Sequence, residues 1–147
     1  MSAGTDSGLV IAFDYGERRI GVATGNRLTA TATGLGVIAC RDGVPHWEAV
    51  DRSVAEWAPA ALIVGKPPTG NERLQHRIGN FVQALKNRYK LPVHLVDESL
   101  SSRAAEAELA DRRRSGEKNT RVKRGDVDKL AACLIAQKWL ADTDPDA

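Results

Sequence analysis

The chain has 147 residues, 42% hydrophobic and 27% charged, with a net charge of +2. This is one domain's worth of sequence with an ordinary globular composition, which excludes a disordered or collagen-like chain. No apolar run approaches the ~20 residues of a membrane span and no basic-then-apolar leader opens the chain, so a cytoplasmic protein with no membrane partner is expected.

Residues 1–7 are small and polar and predict a loose start. Leu9-Val-Ile-Ala-Phe13 is a continuous apolar run, the pattern of a strand buried on both faces. Asp14-Tyr-Gly-Glu-Arg18 breaks it with turn residues, and Arg19-Ile-Gly-Val-Ala-Thr24 alternates as the second arm of a hairpin. A Gly/Thr-rich loop then leads to a third strand at Val37–Cys40. Trp47, Val50, Val54 and Trp57 fall at helical spacing, which makes the tryptophans packing residues. Ala61-Leu-Ile-Val-Gly65 is a second buried strand, closed by Lys66-Pro-Pro68. Leu74, Ile78, Phe81, Val82, Leu85 and Tyr89 mark an amphipathic helix. Pro92-Val-His-Leu-Val96 reads as a third buried strand, ended by Asp97-Glu98-Ser99. Ser101 or Ser102 caps a helix through about Arg113, Arg114–Arg124 reads as a loop, and Asp126 caps a last helix through Leu140. Residues 141–147 are acidic and predict a loose end. The two cysteines, Cys40 and Cys133, have neither metal nor redox spacing, which fits a reducing compartment.

The order β-β-β-α-β-α-β-α-α predicts a single α/β domain over residues 1–147, its core at about 8–140. It is one mixed sheet with helices packed on both faces. The three buried runs are expected to be mutually parallel. Ligands on such sheets bind beyond the carboxyl ends of the parallel strands. Those ends carry Asp14, Gly65-Lys66 and Glu98.

A carboxylate just past a buried strand is costly to desolvate unless it is paired or bound to a cation. Asp14 and Glu98 both stand there. Asp128, on the last helix, shares its side with Ala131, Ala132 and Ile135, small enough to let that helix approach the sheet. Each acid alone has a plain reading: Asp14 starts a turn, Glu98 is a solvated loop residue, and Asp128 complements the helix dipole. Their joint convergence favours a metal site. Three carboxylates without Cys or His suit Mg²⁺ or Mn²⁺, and two such ions roughly 3.5–4 Å apart are a common device for cutting phosphodiesters. Asp97 is expected to point away from Glu98, because neighbours in an extended chain alternate faces.

Charge distribution points the same way. Residues 111–126 hold seven basic side chains (Arg112, Arg113, Arg114, Lys118, Arg121, Lys123 and Arg124) against three acidic ones. A basic segment beside acidic metal ligands suits a nucleic-acid enzyme, the cations holding phosphates while metal does the chemistry. Arg18, Arg19 and Lys66, close to the strand ends, are further phosphate contacts; Arg18 and Arg19 alternatively pair with Glu17 or with the site carboxylates. His46, His76 and His94 lack ligand spacing, and no phosphate-binding glycine loop occurs.

Ile11-Ala-Phe-Asp14-Tyr-Gly16 with Arg18-Arg-Ile-Gly-Val-Ala23, Ile63-Val-Gly65-Lys-Pro67, Asp97-Glu98-Ser-Leu-Ser-Ser102 and Val127-Asp128-Lys-Leu-Ala-Ala132 together resemble the YqgF/RuvX family, a branch of the ribonuclease H-like superfamily. The likeness spans about Leu9 to Leu140. Ser99 stands where that family usually has Arg, and Lys66 where it usually has an apolar residue. The resemblance implies a five-stranded mixed sheet in order 3-2-1-4-5 and a divalent-metal nuclease with Asp14, Glu98 and Asp128 as catalytic metal ligands. In that order the fifth strand lies two places, about 10 Å, from the first, so Glu98 has to reach back from its loop. The resemblance also implies maturation of the 16S rRNA precursor end, or resolution of branched DNA (Holliday) junctions; a monomer and a homodimer both stay open. Two rivals stand beside it. Phe13-Asp14-Tyr-Gly16 also resembles the first phosphate motif of sugar and acetate kinases, and a non-catalytic nucleic-acid-binding module would show the same basic segment.

Overall fold

A computed structural model describes residues 8–66, 72–97 and 124–142. In chain order these form β1 (Leu9–Asp14), β2 (Arg19–Asn26), β3 (Thr31–Arg41), β4 (Val44–Pro45), α1 (Trp47–Trp57), β5 (Ala61–Lys66), α2 (Glu72–Tyr89), β6 (Val93–Asp97) and α3 (Arg124–Asp142). The sheet runs β4-β3-β2-β1-β5-β6. β1 to β4 form successive antiparallel pairs, whereas β1, β5 and β6 are parallel. The helix expected from Ser101 or Ser102 to Arg113 and the loop that follows it lie outside the described residues.

The five expected strands keep their expected order, and a sixth extends the edge. Cys40 pairs with Pro45 and Arg41 with Val44. Between them Asp42 and Gly43 both take positive φ, 53° and 80°, the two-residue turn whose twist matches a hairpin and which Asp-Gly favours. The dipeptide carried the signal; a two-residue strand is too short for periodicity to reveal. β3 is also longer than expected, starting at Thr31 instead of Val37. Threonine's branched Cβ suits a strand, and Gly34 serves close packing: a Cβ there would lie 3.2 Å from the Lys129 Cβ and 3.5 Å from the Cys133 Sγ. Leu35 is the extra residue of a bulge at the register shift between Val22 and Ala23.

β1 and β5 are buried on both faces, as their apolar runs predict. β6 is not: only Val96 is buried among its residues, and Leu95 is 52% exposed. It is the edge strand, beyond the centre of the sheet that the described helices cover. α3 begins two residues before Asp126, which therefore lies in its first turn and is not its N-cap, and it ends at Asp142 instead of Leu140. Terminal turns carry little of the apolar periodicity that locates a helix.

Strand alternation splits the core into two layers. Ile11, Phe13, Ile20, Val22, Leu62 and Val64 face α1 and α2, where Phe81 and Leu85 meet them. Val10, Ala12, Ala61 and Ile63 face α3, with Ile135 and Ala136. Phe81 sits among rings, 5.5 Å from Phe13, 5.3 Å from Tyr15 and 5.9 Å from Trp47 between centroids. Trp47 and Trp57 pack on the first layer and Trp139 on the second, where His94 lies 5.4 Å from its ring. The tryptophans are packing residues, as their spacing predicts.

α1 and α2 are pinned by a polar clamp. Arg88 donates to both carboxylate oxygens of Asp51, at 2.7 and 2.6 Å, and the Tyr89 hydroxyl donates to Oδ1 at 2.5 Å. Arg88 also lies 5.0 Å over the Trp47 ring. The Arg88 and then the Tyr89 hydrogen bonds hold the Asp51 carboxyl down at about 2, against an ordinary 3.8. A depressed carboxyl contributes stability above its unfolded value and loses it as pH falls through the folded one. Asp51→Asn is therefore expected to melt below the parent protein at neutral pH. The difference should close between about pH 4 and pH 2, as thermal melts across that range would show.

Candidate active site

β1 delivers Asp14 to a defined side of the sheet. Val10 and Ala12 lie in the α3 layer and Ile11 and Phe13 in the other, so alternation carries Asp14 out on the α3 side. Its register partner on β2 is Gly21, and directly opposed residues share a face. Gly21 is where α3 touches down. A Cβ at Gly21 would collide with the Asp128 carbonyl and lie 3.1 Å from the Asp128 Cβ. The missing side chain thus brings Asp128 over the residue paired with Asp14, and the two acids converge at one end of one face.

The approach extends along the helix. A Cβ on Gly25 would lie 3.3 Å from the Leu140 Cδ1 and 3.4 Å from the Ala136 Cβ. Gly21, Ala23 and Gly25 make a flat track on β2, and Asp128, Ala132, Ala136 and Leu140, four residues apart, fall on one side of α3. Ala131, Ala132, Ile135 and Ala136 are buried by this contact.

Arg19 supplies the opposite charge. It lies two residues before Gly21, hence on the same face, and its Nε is 2.7 Å from the Asp128 Oδ2. The pair meets at ion-pair distance but off the hydrogen-bond angle: Oδ2 is buried and has no hydrogen-bond partner among the described residues. A buried carboxylate oxygen left without a hydrogen bond is costly and is the kind of donor a hard cation satisfies. A shallow cleft of about 310 Å³ opens here, lined by Asp128, Arg19 and Arg18 with the Tyr15-Gly16-Glu17 turn and Leu74.

The oxygen chemistry of Asp14 and Asp128, with the orphaned Oδ2, fits a divalent cation such as Mg²⁺ or Mn²⁺. Among the described residues no three candidate ligand side chains gather, and Glu98, the expected third ligand, lies outside them. Asp97 takes the face opposite Val96, away from the α3 layer, as alternation predicts. Lys66, its register partner, shares that face, so it stands across the sheet from the two acids. Arg18 is exposed at the cleft. Arg112, Arg113, Arg114, Lys118, Arg121 and Lys123 lie outside the described residues, and Arg124 opens α3 with its side chain outside the description.

Two features escape a reading of the sequence. Gly21 looks like any glycine in an alternating strand, and its importance depends on α3, more than a hundred positions away. Glu17 pairs with α2 and not with Arg18 or Arg19: its Oε2 takes Arg77 Nη1 at 2.5 Å and Arg73 Nε at 3.3 Å. The spacing of those two arginines, one helical turn apart, was the available signal.

Comparison with known proteins bears on the family and the fold. A family described as "RuvX: Holliday junction resolvase" matches residues 8–142. A Legionella pneumophila (strain Paris) protein named "Putative pre-16S rRNA nuclease" is 38% identical over 140 residues, 93% of this chain and 98% of that protein. A protein of the same name from Xanthomonas oryzae pv. oryzae is 41% identical over 140 residues, 93% of this chain and 90% of that one. Among solved structures, Thermus thermophilus RuvC in complex with a Holliday junction substrate aligns with a TM-score of 0.56 at 20% identity, covering 92% of this chain and 96% of that chain. The fowlpox virus resolvase bound to Holliday junction DNA aligns at 0.57 and 12% identity, covering 91% and 97%. At such identities these two establish the shared ribonuclease H-like fold alone.

Proposed function

This chain belongs to the RuvX family, and from that premise we propose that it is a nuclease maturing the end of precursor 16S rRNA. It hydrolyses phosphodiester bonds. The rRNA substrate is the one named for its curated relatives, which match it nearly end to end. The observation that carries the site is the convergence of Asp14 and Asp128 over Gly21, with a buried carboxylate oxygen lacking a hydrogen bond.

Asp14, Asp128 and Glu98 are the residues to hold the metal, Mg²⁺ or Mn²⁺ as one or two ions. When bound, a divalent ion supplies Lewis-acid activation of the phosphate and of the attacking water. The chain's own residues do the rest. Arg19 offsets the Asp128 charge and holds that carboxylate in place, and Arg18, exposed at the cleft, takes a strand phosphate. The basic segment Arg112, Arg113, Arg114, Lys118, Arg121, Lys123 and Arg124 positions the nucleic acid, as phosphate contacts do without reading sequence. No described helix is long and apolar enough to cross a membrane, and a ribosomal precursor places the work in the cytoplasm.

The test is a panel of labelled precursor rRNA, single-stranded RNA and four-way DNA junction, each with and without Mn²⁺. Cleavage of precursor rRNA and not of the DNA junction, and only with metal, is expected. Cleavage confined to the junction would replace the substrate with branched DNA. Metal-independent binding without cutting of any substrate would reduce the protein to a binding module.

A further inference from the structure

A second cavity, of about 270 Å³, lies on the other side of the Asp14 turn, and Tyr15 lines both it and the cleft that holds Asp128. One wall is the Asp42–Pro45 hairpin and the other is α2, with Trp47 between them. Its interior is apolar and aromatic. Tyr15 and Phe81 are 6% and 3% exposed, with centroids 5.3 Å apart, and Trp47 lies 5.9 Å from Phe81. Arg77 and Asn80 supply the polar edge.

The hairpin is held over this cavity from the catalytic turn. The Tyr15 hydroxyl donates to the Gly43 carbonyl at 2.6 Å, and the Gly43 N–H donates to the Glu17 carbonyl at 3.3 Å. Arg77, bound to Glu17, packs directly against Gly43, where a Cβ would lie within 2.5–2.9 Å of the Arg77 Nη1, Cζ and Cδ. Gly43 is at φ +80°, a backbone conformation that strains any side chain placed there. The cavity is therefore built before any ligand arrives.

We propose that this cavity is a base-binding subsite that takes one unpaired nucleobase of the strand whose phosphodiester lies at Asp14 and Asp128. A flat heteroaromatic ring of any identity buries its apolar faces against these walls, and its polar edge meets Arg77 and Asn80. A strand crossing the carboxyl end of β1 passes from the Asp128 cleft over Tyr15 into this cavity. A base inside a duplex is paired and stacked and cannot enter without paying to leave the helix. The subsite thus selects single-stranded or frayed substrate. The inference rests on the nuclease reading and deepens it.

The experiment uses the full chain and single-stranded RNA from the precursor end, with an abasic site walked along it one position at a time. Binding is measured in EDTA and cleavage separately in Mn²⁺. One abasic position is expected to weaken binding about 5- to 150-fold, the others little. Ala84→Leu, which narrows the cavity from α2, is expected to cause the same loss on intact RNA and no further loss on that one abasic strand. A flat abasic profile, losses that simply add, or no binding of single strands overturns the subsite. Cutting in Mn²⁺ with a flat binding profile leaves the nuclease reading standing, and a position-specific binding loss in EDTA with no cutting in Mn²⁺ sinks that reading while keeping the pocket. The abasic walk on the unaltered protein decides even where Ala84→Leu fails to fold.

Discussion

Asp14→Asn is expected to lower Mn²⁺-dependent cleavage by about 10³-fold or more while leaving the fold intact. The change keeps the side chain's shape and removes its charge. A metal's stabilisation of a phosphoryl transition state is worth several kcal/mol, and every 1.36 kcal/mol is tenfold in rate. Asp14 is half-buried at the end of β1, past the last core residue of its strand, so the cost in stability should stay within about 1 kcal/mol. Cleavage and chemical denaturation on the same preparation check both halves. Retained cleavage would remove Asp14 from the catalytic set. Asp128→Asn should abolish cleavage equally but cost more stability, because Arg19 then loses the carboxylate at 2.7 Å.

Gly21→Ala is expected to damage the protein in a different way, although it touches no charged group. The added methyl has nowhere to go but into the Asp128 carbonyl, so α3 lifts or β2 shifts. Overpacking of this kind costs roughly 1–3 kcal/mol, occasionally more. The displaced helix carries Asp128 with it, and a displacement near 1 Å is enough for about a 10²-fold loss of rate. Gly36→Ala is the control: a Cβ there meets nothing within 4 Å, and its effect should fall within about ±0.5 kcal/mol. If Gly21→Ala and Gly36→Ala behave alike in denaturation and cleavage, the contact between α3 and β2 does not position the site.

Much of the scaffold could be read from residues because its strands are buried on both faces. Runs such as Leu9–Phe13 and Ala61–Gly65 admit few other interpretations, and the spacing from Leu74 to Tyr89 is helical throughout. Strand order came from the family resemblance, since nothing local tells β1 that β2 and β5 are its neighbours. Where reading failed, the determinants were distant or short. β4 is two residues long. Gly34 of β3 looks like part of a loop until α3 is laid against it. β6 is apolar yet exposed, since its place at the edge is a property of the whole sheet. At the site, Asp14 was legible as a carboxylate ending a buried strand; Phe13-Asp14-Tyr-Gly16 also resembles a kinase motif, and family membership over residues 8–142 decides between them. The Arg19–Asp128 pair was one of several pairings the sequence allowed, and Gly21 chose it by setting the height of the helix.

That pair separates assembly from activation. Many small proteins that bind ions through clustered acids fold only once the ion neutralises them. Here Arg19 is already a resident counter-charge for Asp128, so the scaffold is expected to form without metal, and chelation is expected to stop cleavage without lowering the melting temperature.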